Sequence, residues 1–510
     1  MKAIKQAGKK RGISPIDRIV YNPAMQNDTI AAIATPPGIG GIGVIRVSGP
    51  DAFGAVQPLF RQPGGRTALP PSHLLTYGRI VDPASEEVVD EVFVAFMNAP
   101  RTYTCEPVVE IQGHGGPLVL QRILRLVLAQ GVRMANAGEF TLRAFLNGRL
   151  DLAQAEAVMD LIDARTEAGQ RLAMHQLSGH VSAQVQEARH AILAVVARIE
   201  ASIDFPEEDV PTPQVEELAP MVTVAQRHVD TLLAGSQQGR LYRQGLRTAI
   251  IGRPNVGKSS LLNALLRSER AIVTPIAGTT RDTVEEVANL RGIPLHLIDT
   301  AGITPSSDPV EQIGVQRSRA AAESADVVLL VFDGSEPFTG QDRQVCAELH
   351  AMGFGNGRHE PLNEASETSI EALSSGTSRP VVVVVNKIDC PQRLEMSEVR
   401  LQWPGVPVVR TSTIHGEGLP ELEETLANLV LAGKTLHSES VLVTSTRHQE
   451  ALRRAAGHLR ATHLSLESGL PLDFASIDLR AAYDALGEIT GETASDDLLD
   501  KIFSEFCIGK

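Results

Sequence analysis

Residues 252–259 read GRPNVGKS, which fits the spacing G-x-x-x-x-G-K-[ST] of a loop built to hold phosphates. Glycines there let backbone N–H groups close around phosphate oxygens at a helix N-terminus. Lys258 brings a point charge to the outer phosphates, and Ser259 offers an oxygen to Mg2+. Asn255, Val256, Gly257 and Ser260 complete the cradle. Downstream, residues 299–302 read DTAG after the apolar stretch 295–298. Asp299 would hold the metal through water and Gly302 would sense a γ-phosphate, with Thr300 and Ala301 between them. The intervening GTTRD at 278–282 places Thr280 as a second Mg2+ ligand on a switch loop. Residues 386–389 read NKID after the apolar run 381–385. There Asp389, flanked by Asn386 and Lys387, can accept both the ring N–H and the exocyclic amine of guanine, a donor pair that adenine does not present. These motifs in this order specify GTP binding. The hydrolytic group is less plain: Ile303, directly after DTAG, is apolar and cannot polarise water. Glu311 is a candidate for that work, but its spacing also describes, and by itself favours, a solvated carboxylate at a helix start.

These side chains need strands that end at one edge. From 247 to about 431 the pattern alternates strand and helix, the rhythm of a parallel or mixed sheet carrying a P-loop. Before it, strand-like runs at 30–34, 42–47, 91–96 and 108–112 read as an α+β domain ending near 146. Apolar residues at i, i+3, i+4 spacings from Leu152 predict one long helical pattern stopping before Pro206. Thr212 and Pro213 then look like an N-cap and first-turn proline opening a helix to about 236. Helical periodicity returns at 446–465 and 479–488. The expected architecture is multidomain α/β, with a P-loop domain inserted between two halves of an all-α domain. Its divisions are 1–27 (basic tail, disordered), 28–146, 147–243, 244–433 and 434–510. The Gly/Ser/Glu/Asn-rich stretch 353–379 is expected to be a mobile loop within the P-loop domain.

The 510 residues suit about three domains. No run of about 18 apolar residues occurs, which excludes an ordinary membrane span. Lys plus Arg number 47 against 61 Asp plus Glu, a formal net charge of −14, so any RNA contact needs a local basic patch or a basic partner. The four cysteines are far apart in no metal-ligand spacing and fit a reducing, cytoplasmic compartment. For residues 1–27, a transit peptide stands as the alternative to a disordered tail or an upstream start. Two motifs are decoys. GIGGIG at 38–43 matches G-x-G-x-x-G but has no helix after it to receive a pyrophosphate, so it reads as a tight loop between strands. His114 with Gly115 and Gly116 faintly suggests an esterase oxyanion loop, yet no G-x-S-x-G elbow exists in the chain, and a glycine-rich turn with a hydrogen-bonded His fits better.

From 28 to 510 the sequence resembles the MnmE (TrmE) family. The marks are ATPPGIGGIG at 34–43, QGHGGP at 112–117, GEF at 138–140, AFLN at 144–147, LDLAQAE at 150–156 and the C-terminal FCIGK at 506–510. The resemblance implies an N-terminal folate-binding and dimer-forming domain, a discontinuous helical domain and an inserted Ras-like G domain. It also implies a cytoplasmic homodimer that joins a flavoprotein partner, MnmG (GidA), in a heterotetramer. That partner is expected to hold the FAD. The activity implied is K+-activated GTP hydrolysis coupled to placing a carboxymethylaminomethyl-type group on carbon 5 of the wobble uridine of certain tRNAs. The one-carbon unit would come from a 5-formyl- or methylene-tetrahydrofolate.

Residue by residue, the resemblance carries K+ onto Asn255, Thr274, Ile276 and Thr279, and nucleotide contacts onto the rest of that segment, Pro275, Ala277 and Gly278. Electrostatically this sets a cation beside the charge developing between the β- and γ-phosphates. Glu311 becomes the water-positioning carboxylate by the same matching. Folate contacts fall on Arg46, Glu110, Arg149 and Lys510, although Arg149 stands where the family more usually has Lys. The guanine-side loop reads Thr411, Ser412, Thr413 where a Ser-Ala pair is usual, so Ser412 and Thr413 are the expected contacts. Cys507 matches a tail cysteine whose role stays open beside a simple buried thiol. Two other classes compete: a GTP-dependent binding switch in ribosome assembly, as in Era-like or Der-like GTPases, and a nucleotide-controlled scaffold. The first requires a KH-like module or a second G domain, and the chain shows neither pattern.

Overall fold

The computed structural model describes residues 28–66, 68–204, 213–268, 286–298, 319–355, 379–431 and 443–509. The first unit is a seven-stranded sheet of β1 (Ile30–Ile33), β2 (Ile42–Ser48), β3 (Phe60–Arg61), β4 (Leu75–Val81), β5 (Val88–Met97), β6 (Val108–His114) and β7 (Arg133–Met134), ordered β3-β4-β5-β6-β2-β1-β7. The β1–β7 pair is parallel and the other neighbours are antiparallel. Strand alternation puts Ile45, Val47, Val92, Val94, Val109 and Ile111 on one face. That face is covered by α1 (Ala52–Val56) and α2 (Pro117–Leu128). Proline opens α2, where its missing N–H costs nothing, and Leu120, Ile123, Leu124 and Val127 form the buried stripe. The GIGGIG stretch runs from the loop between β1 and β2 into the first two residues of β2, with no helix after it.

A buried ionic network closes this unit onto the next. Glu139, 3% exposed, accepts from Arg133 at 2.6 Å, from Arg143 at 3.1 Å and from the Asn136 backbone at 2.8 Å. Asp28 pairs with the same two arginines. Burial alone would raise the Glu139 carboxyl, but the hydrogen bonds from Arg133, Asn136 and Arg143 outweigh it and hold the group below the ordinary range. Because the folded state favours the ionised form, this stabilisation is complete at neutral pH and is lost as pH falls through the carboxylate range. Glu139→Ala should destabilise the protein by about 3 kcal/mol, since removing one partner strands buried guanidinium charge. A shift of the first urea-unfolding midpoint reads this, and an unchanged midpoint counts against it.

Next come α3 (Glu139–Leu146), α4 (Leu152–Asp163), α5 (Glu167–Leu177), α6 (His180–Asp204) and α7 (Val215–Gln244). The single helical pattern expected from Leu152 onward is thus three helices. Thr166 breaks the first junction: it caps α5 by accepting from Gly169 N at 3.1 Å and donates to the Gly292 carbonyl at 2.7 Å. Gly179 breaks the second, at φ +85. The helix expected to open at Thr212 and Pro213 instead begins at Val215 with Gln214 as N-cap. Thr212 is outside the described residues. It also runs past 236 to Gln244, because Leu241 and Tyr242 are buried against the next unit's core, and Gly245 (φ +72) then ends it.

The inserted unit is a six-stranded sheet of β8 (Leu246–Ile251), β9 (Glu286–Leu290), β10 (Ile293–Ile298), β11 (Val327–Asp333), β12 (Val381–Asn386) and β13 (Val408–Arg410). Its order is β13-β12-β11-β8-β10-β9, parallel except for β9. Around it lie α8 (Lys258–Ser268), α9 (Gly340–Ala351), α10 (Met396–Gln402) and α11 (Leu419–Leu431). Every residue of β11 and β12 is buried, as central parallel strands covered on both faces must be. β8 stands where the strand order reverses, and in open α/β sheets ligands bind beyond the carboxyl ends at that point. Of the 353–379 stretch, 356–378 lie outside the described residues. Its stems pair through a bridge of Phe354 with Arg379, whose guanidinium stacks 5.5 Å over the Phe354 ring.

The chain then returns through α12 (Thr446–Glu467), α13 (Leu472–Thr490) and α14 (Asp496–Ser504). One apolar core draws Val185, Ile192 and Ile199 from α6, Val222 and Val229 from α7, Leu452 and Leu459 from α12, and Leu479 and Leu486 from α13. The helical unit is therefore discontinuous in sequence and single in packing.

Candidate functional site

Three loops at the carboxyl edge of the inserted sheet meet. After β8 the P-loop turns through Asn255 (φ +65), a residue type that tolerates the left-handed region, and Gly257 (φ +99). A Cβ on Gly257 would stand 2.2 Å from Asn386 Nδ2, and one on Gly252 would stand 2.4 Å from the Val331 carbonyl oxygen, so both positions require glycine. Lys258 Nζ donates to the carbonyls of Gly252 and Arg253, each at 2.8 Å. Val256 is fully buried, whereas Ser259 and Ser260 are exposed on the first turn of α8, whose N–H groups face the loop's concavity.

Residues of the NKID loop staple this cradle. Asn386 Nδ2 donates to the Val256 carbonyl at 3.0 Å, and Lys387 Nζ to the Asn255 carbonyl at 2.8 Å. Lys387 also pairs at 2.6 Å with Asp333, at the end of β11. Burial disfavours the ionised Asp333, but hydrogen bonds from Lys387 and Ser335 prevail and keep its carboxyl below the usual range. Asp389 accepts from Ser412 Oγ at 2.6 Å, chiefly for which reason its carboxyl is held low. Thr413 N and Thr411 Oγ1 both approach Asn386 Oδ1 at 3.4 Å. The Ser412–Glu417 bridge shapes this third loop, and Gly418 (φ +75) permits it, since a Cβ there would lie 1.9 Å from the Arg410 carbonyl oxygen. An ionised carboxylate fixed by a hydroxyl, beside a phosphate cradle, suits a purine base bearing two adjacent donors.

Asn255, Val256, Gly257, Lys258, Ser259, Ser260, Asn386, Lys387, Asp389, Ser412 and Thr413 are thus brought together. The other expected nucleotide residues, Thr274 to Thr280 and Asp299 to Gly302, and the carboxylate Glu311, lie outside the described residues. Asp333 is a site residue that motif reading missed. It is a lone carboxylate ending a fully apolar strand, with no motif spacing to mark it.

A second cluster forms on the opposite face of the first sheet, where Phe140 of α3 packs with Ile30, Ala32 and Ala135. Arg46 on β2 and Glu110 on β6 are register partners, joined by hydrogen bonds at 2.9 Å. The Arg46 guanidinium lies 5.4 Å from the Tyr103 ring centre and 5.7 Å from that of Phe140. Arg149 stacks over Tyr103 at 4.8 Å and donates to its carbonyl at 3.0 Å. The planar guanidinium does here what a lysine would not. The tail arrives through the Ala137–Ile508 bridge, and Gly509 (φ +96) fits against the Ile33 carbonyl, accepting from Arg46 Nη1 at 3.4 Å. Lys510 itself is outside the described residues. Tyr103, on an irregular loop with no periodicity, gave no sequence signal. Cys507 is exposed, so the buried-thiol reading is corrected: the tail runs along the surface, with the Cys507 carbonyl, not its sulfur, facing Gly138 N at 3.4 Å. His114 pairs with Asp90 at 2.6 Å, as a hydrogen-bonded turn histidine should.

Fold and cradle together define a P-loop nucleotide-binding protein whose Ras-like domain interrupts a helical bundle. The family model for the MnmE helical domain matches residues 152–507, and that for the GTP-binding protein TrmE N-terminus matches 29–149. The chain is similar to the tRNA modification GTPase MnmE of Chloroflexus aurantiacus, 49% identical with 95% of this chain and 100% of that one covered. It is also similar to the protein of the same name from Natranaerobius thermophilus, 44% identical with 95% and 100% covered. Among solved structures it is similar to the G domain of the T. maritima FeoB iron transporter, at 27% identity and TM-score 0.24, with 36% of this chain and 98% of that chain covered. The chain belongs to the MnmE family of tRNA modification GTPases. Both family models reach beyond the G domain, which the ribosome-assembly alternative does not explain. No helix among the described residues is long and apolar enough to cross a membrane.

Proposed function

We propose that this chain is a K+-activated GTPase acting in the cytoplasm as a homodimer, with a flavoprotein partner (MnmG/GidA) in a heterotetramer. Together they would install a carboxymethylaminomethyl-type group at carbon 5 of the wobble uridine of certain tRNAs. The observation that carries this reading is the stapling of the P-loop to the NKID loop by Asn386 and Lys387, because it makes phosphate and base recognition one rigid site. The names of the relatives support the tRNA side.

In this reading Lys258 and the backbone of residues 252–257 hold the β- and γ-phosphates, and Ser259 with Thr280 would hold Mg2+. Thr274 to Gly278 and Asp299 to Gly302 would contact the phosphates and their metal, while Asp389, Ser412 and Thr413 would read the guanine. Asn255, Thr274, Ile276 and Thr279 would hold K+. The exposed side-chain amide of Asn255 makes no hydrogen bond among the described residues, which leaves its oxygen open to a cation. Bound there, a monovalent cation supplies the positive charge that other GTPases take from an arginine. Glu311 positions the attacking water. The second cluster suits a pterin: Glu110 can accept from an amino-pyrimidine edge, the half-buried Tyr103 offers it aromatic surface, and Arg46, Arg149 and Lys510 would attract a glutamate tail.

Two variants separate these roles. Glu311→Ala should leave GTP affinity intact and cut turnover by at least about 10², the scale of a lost general base. Arg46→Ala should weaken binding of 5-formyltetrahydrofolate and spare GTP turnover. Neither should restore wobble-uridine modification, read by mass spectrometry of tRNA from cells lacking the wild-type protein. Normal hydrolysis by Glu311→Ala would return that residue to a solvated carboxylate.

A further inference from the structure

The polypeptide crosses between the helical unit and the G domain twice, and both crossings are tied to one helix. Arg243, in the last turn of α7 just before β8, pairs with Asp160 at 2.6 Å. Arg447, in the first turn of α12 after the return, makes a bidentate pair with Glu156 at 3.0 and 2.9 Å. Glu156 and Asp160 are four residues apart on α4 and so share one face. The first turn of α4 packs elsewhere: Leu152 and Ala155 are buried with Phe145, Phe503 and Phe506. Phe506 opens the tail whose Gly509 accepts from Arg46 in the second cluster. Helix α4 is therefore the element in contact with both G-domain crossings and with the base of the folate-side tail.

The two ties differ in strength. Glu156 also takes the fully buried His448 at 2.6 Å, and Arg447 reaches the carbonyls of Glu488 and Ile489 at the end of α13, so this side is a fixed pivot. Burial works against the Glu156 carboxylate, but His448 and Arg447 hold it well below the ordinary range. Among the described residues Asp160 has a single ion pair, and the Arg243 side chain is 32% exposed. Burial pushes the Asp160 carboxyl up to about 6 even with Arg243 beside it. Both groups line a cavity of about 690 Å³ walled also by Tyr242, Lys501 and Glu505. That space lets Arg243 move, and Asp163, one turn along α4 on the same cavity, offers a second acceptor.

We propose that Asp160 and Arg243 are a positioning pair, a releasable latch through which the nucleotide state of the G domain shifts α4 and, with it, the tail that completes the folate cluster. This rests on the functional reading above. Neither residue belongs to the nucleotide cradle or to the Arg46–Glu110 cluster, so the pair would act on coupling alone.

The test titrates 5-formyltetrahydrofolate into the full-length protein loaded with GDP and, separately, with a non-hydrolysable GTP analogue, after phosphate release has been measured. In the wild type the two affinities should differ by about 5-fold or more, the lower end of ordinary coupling between sites. In Asp160→Asn and in Arg243→Gln the ratio should fall to within about 2-fold of unity, with GTP affinity and turnover kept. The double variant should lose nothing further, because the pair acts as a unit. Asp160→Glu, which keeps the charge, should retain most of the ratio. A merely structural role would weaken folate binding equally in both nucleotide states and leave the ratio unaltered, and that outcome overturns the latch. A wild type that hydrolyses GTP yet binds folate equally in both states overturns the latch alone, whereas one that hydrolyses no GTP overturns the functional reading with it.

Discussion

GTP turnover in K+ should exceed turnover in Na+ at matched ionic strength by roughly 10³ to 10⁵, the range measured when a cationic finger is supplied to or withheld from a GTPase. Of the expected K+ ligands, Asn255 lies among the described residues. Asn255 is held at φ +65 by the turn and its carbonyl is pinned by Lys387 at 2.8 Å, so the backbone presents its exposed side-chain amide at a fixed place on the loop. A smaller ion should sit poorly among ligands that suit the larger one. Ile303, standing where a water-orienting glutamine would follow DTAG, leaves the chain without that alternative source of acceleration. Asn255→Ala should abolish the difference between salts while keeping the nucleotide bound, because Lys258 and the backbone cradle remain. Phosphate release measured across a K+ to Na+ series decides this, and equal rates in the two salts would remove K+ from the mechanism.

Asp389→Asn should reverse base preference, changing the ratio of GTP to xanthosine triphosphate affinity by about 10⁴, the scale on which a site built around a hydrogen-bonding pair rejects a mismatched partner. The carboxylate is fixed by Ser412 at 2.6 Å and is kept ionised by that bond, so it presents acceptors to the two adjacent donors of guanine. An asparagine exchanges one acceptor for a donor, which matches xanthine's extra carbonyl. Asn386 and Lys387 are untouched, so the junction between base loop and phosphate loop should survive and the variant should still hydrolyse its new nucleotide. Competition binding with the two triphosphates reads the outcome. Unchanged GTP affinity would mean that the base is read elsewhere.

Much of the nucleotide cradle is legible in the sequence, because its chemistry demands fixed residue types at fixed spacing. A glycine cannot be replaced where a Cβ would strike Asn386 Nδ2 at 2.2 Å, and that necessity writes itself into the string GRPNVGKS. Asp333 escaped because a single carboxylate after an apolar run has no spacing to recognise; only the parallel register of β11 with β12, pairing Asp333 with Asn386, brings it to Lys387.

The sequence by itself determined the local alphabet of this protein: strands from alternation and apolar runs, the P-loop from its glycines, and the family from strings scattered over the whole chain. It could not locate breaks that depend on distant partners. Thr166 ends one helical stretch and starts another while bonding to Gly292, and Tyr242 prolongs α7 because the inserted sheet buries it; each is a contact with a residue far along the chain. Tertiary structure alone decided that Glu156 and Asp160 receive arginines from the two crossings of the chain, and that residue 509 lies against residue 46. Periodicity reports only which face a residue occupies, whereas pairing across hundreds of residues is set by how the packed helices and sheets close on one another.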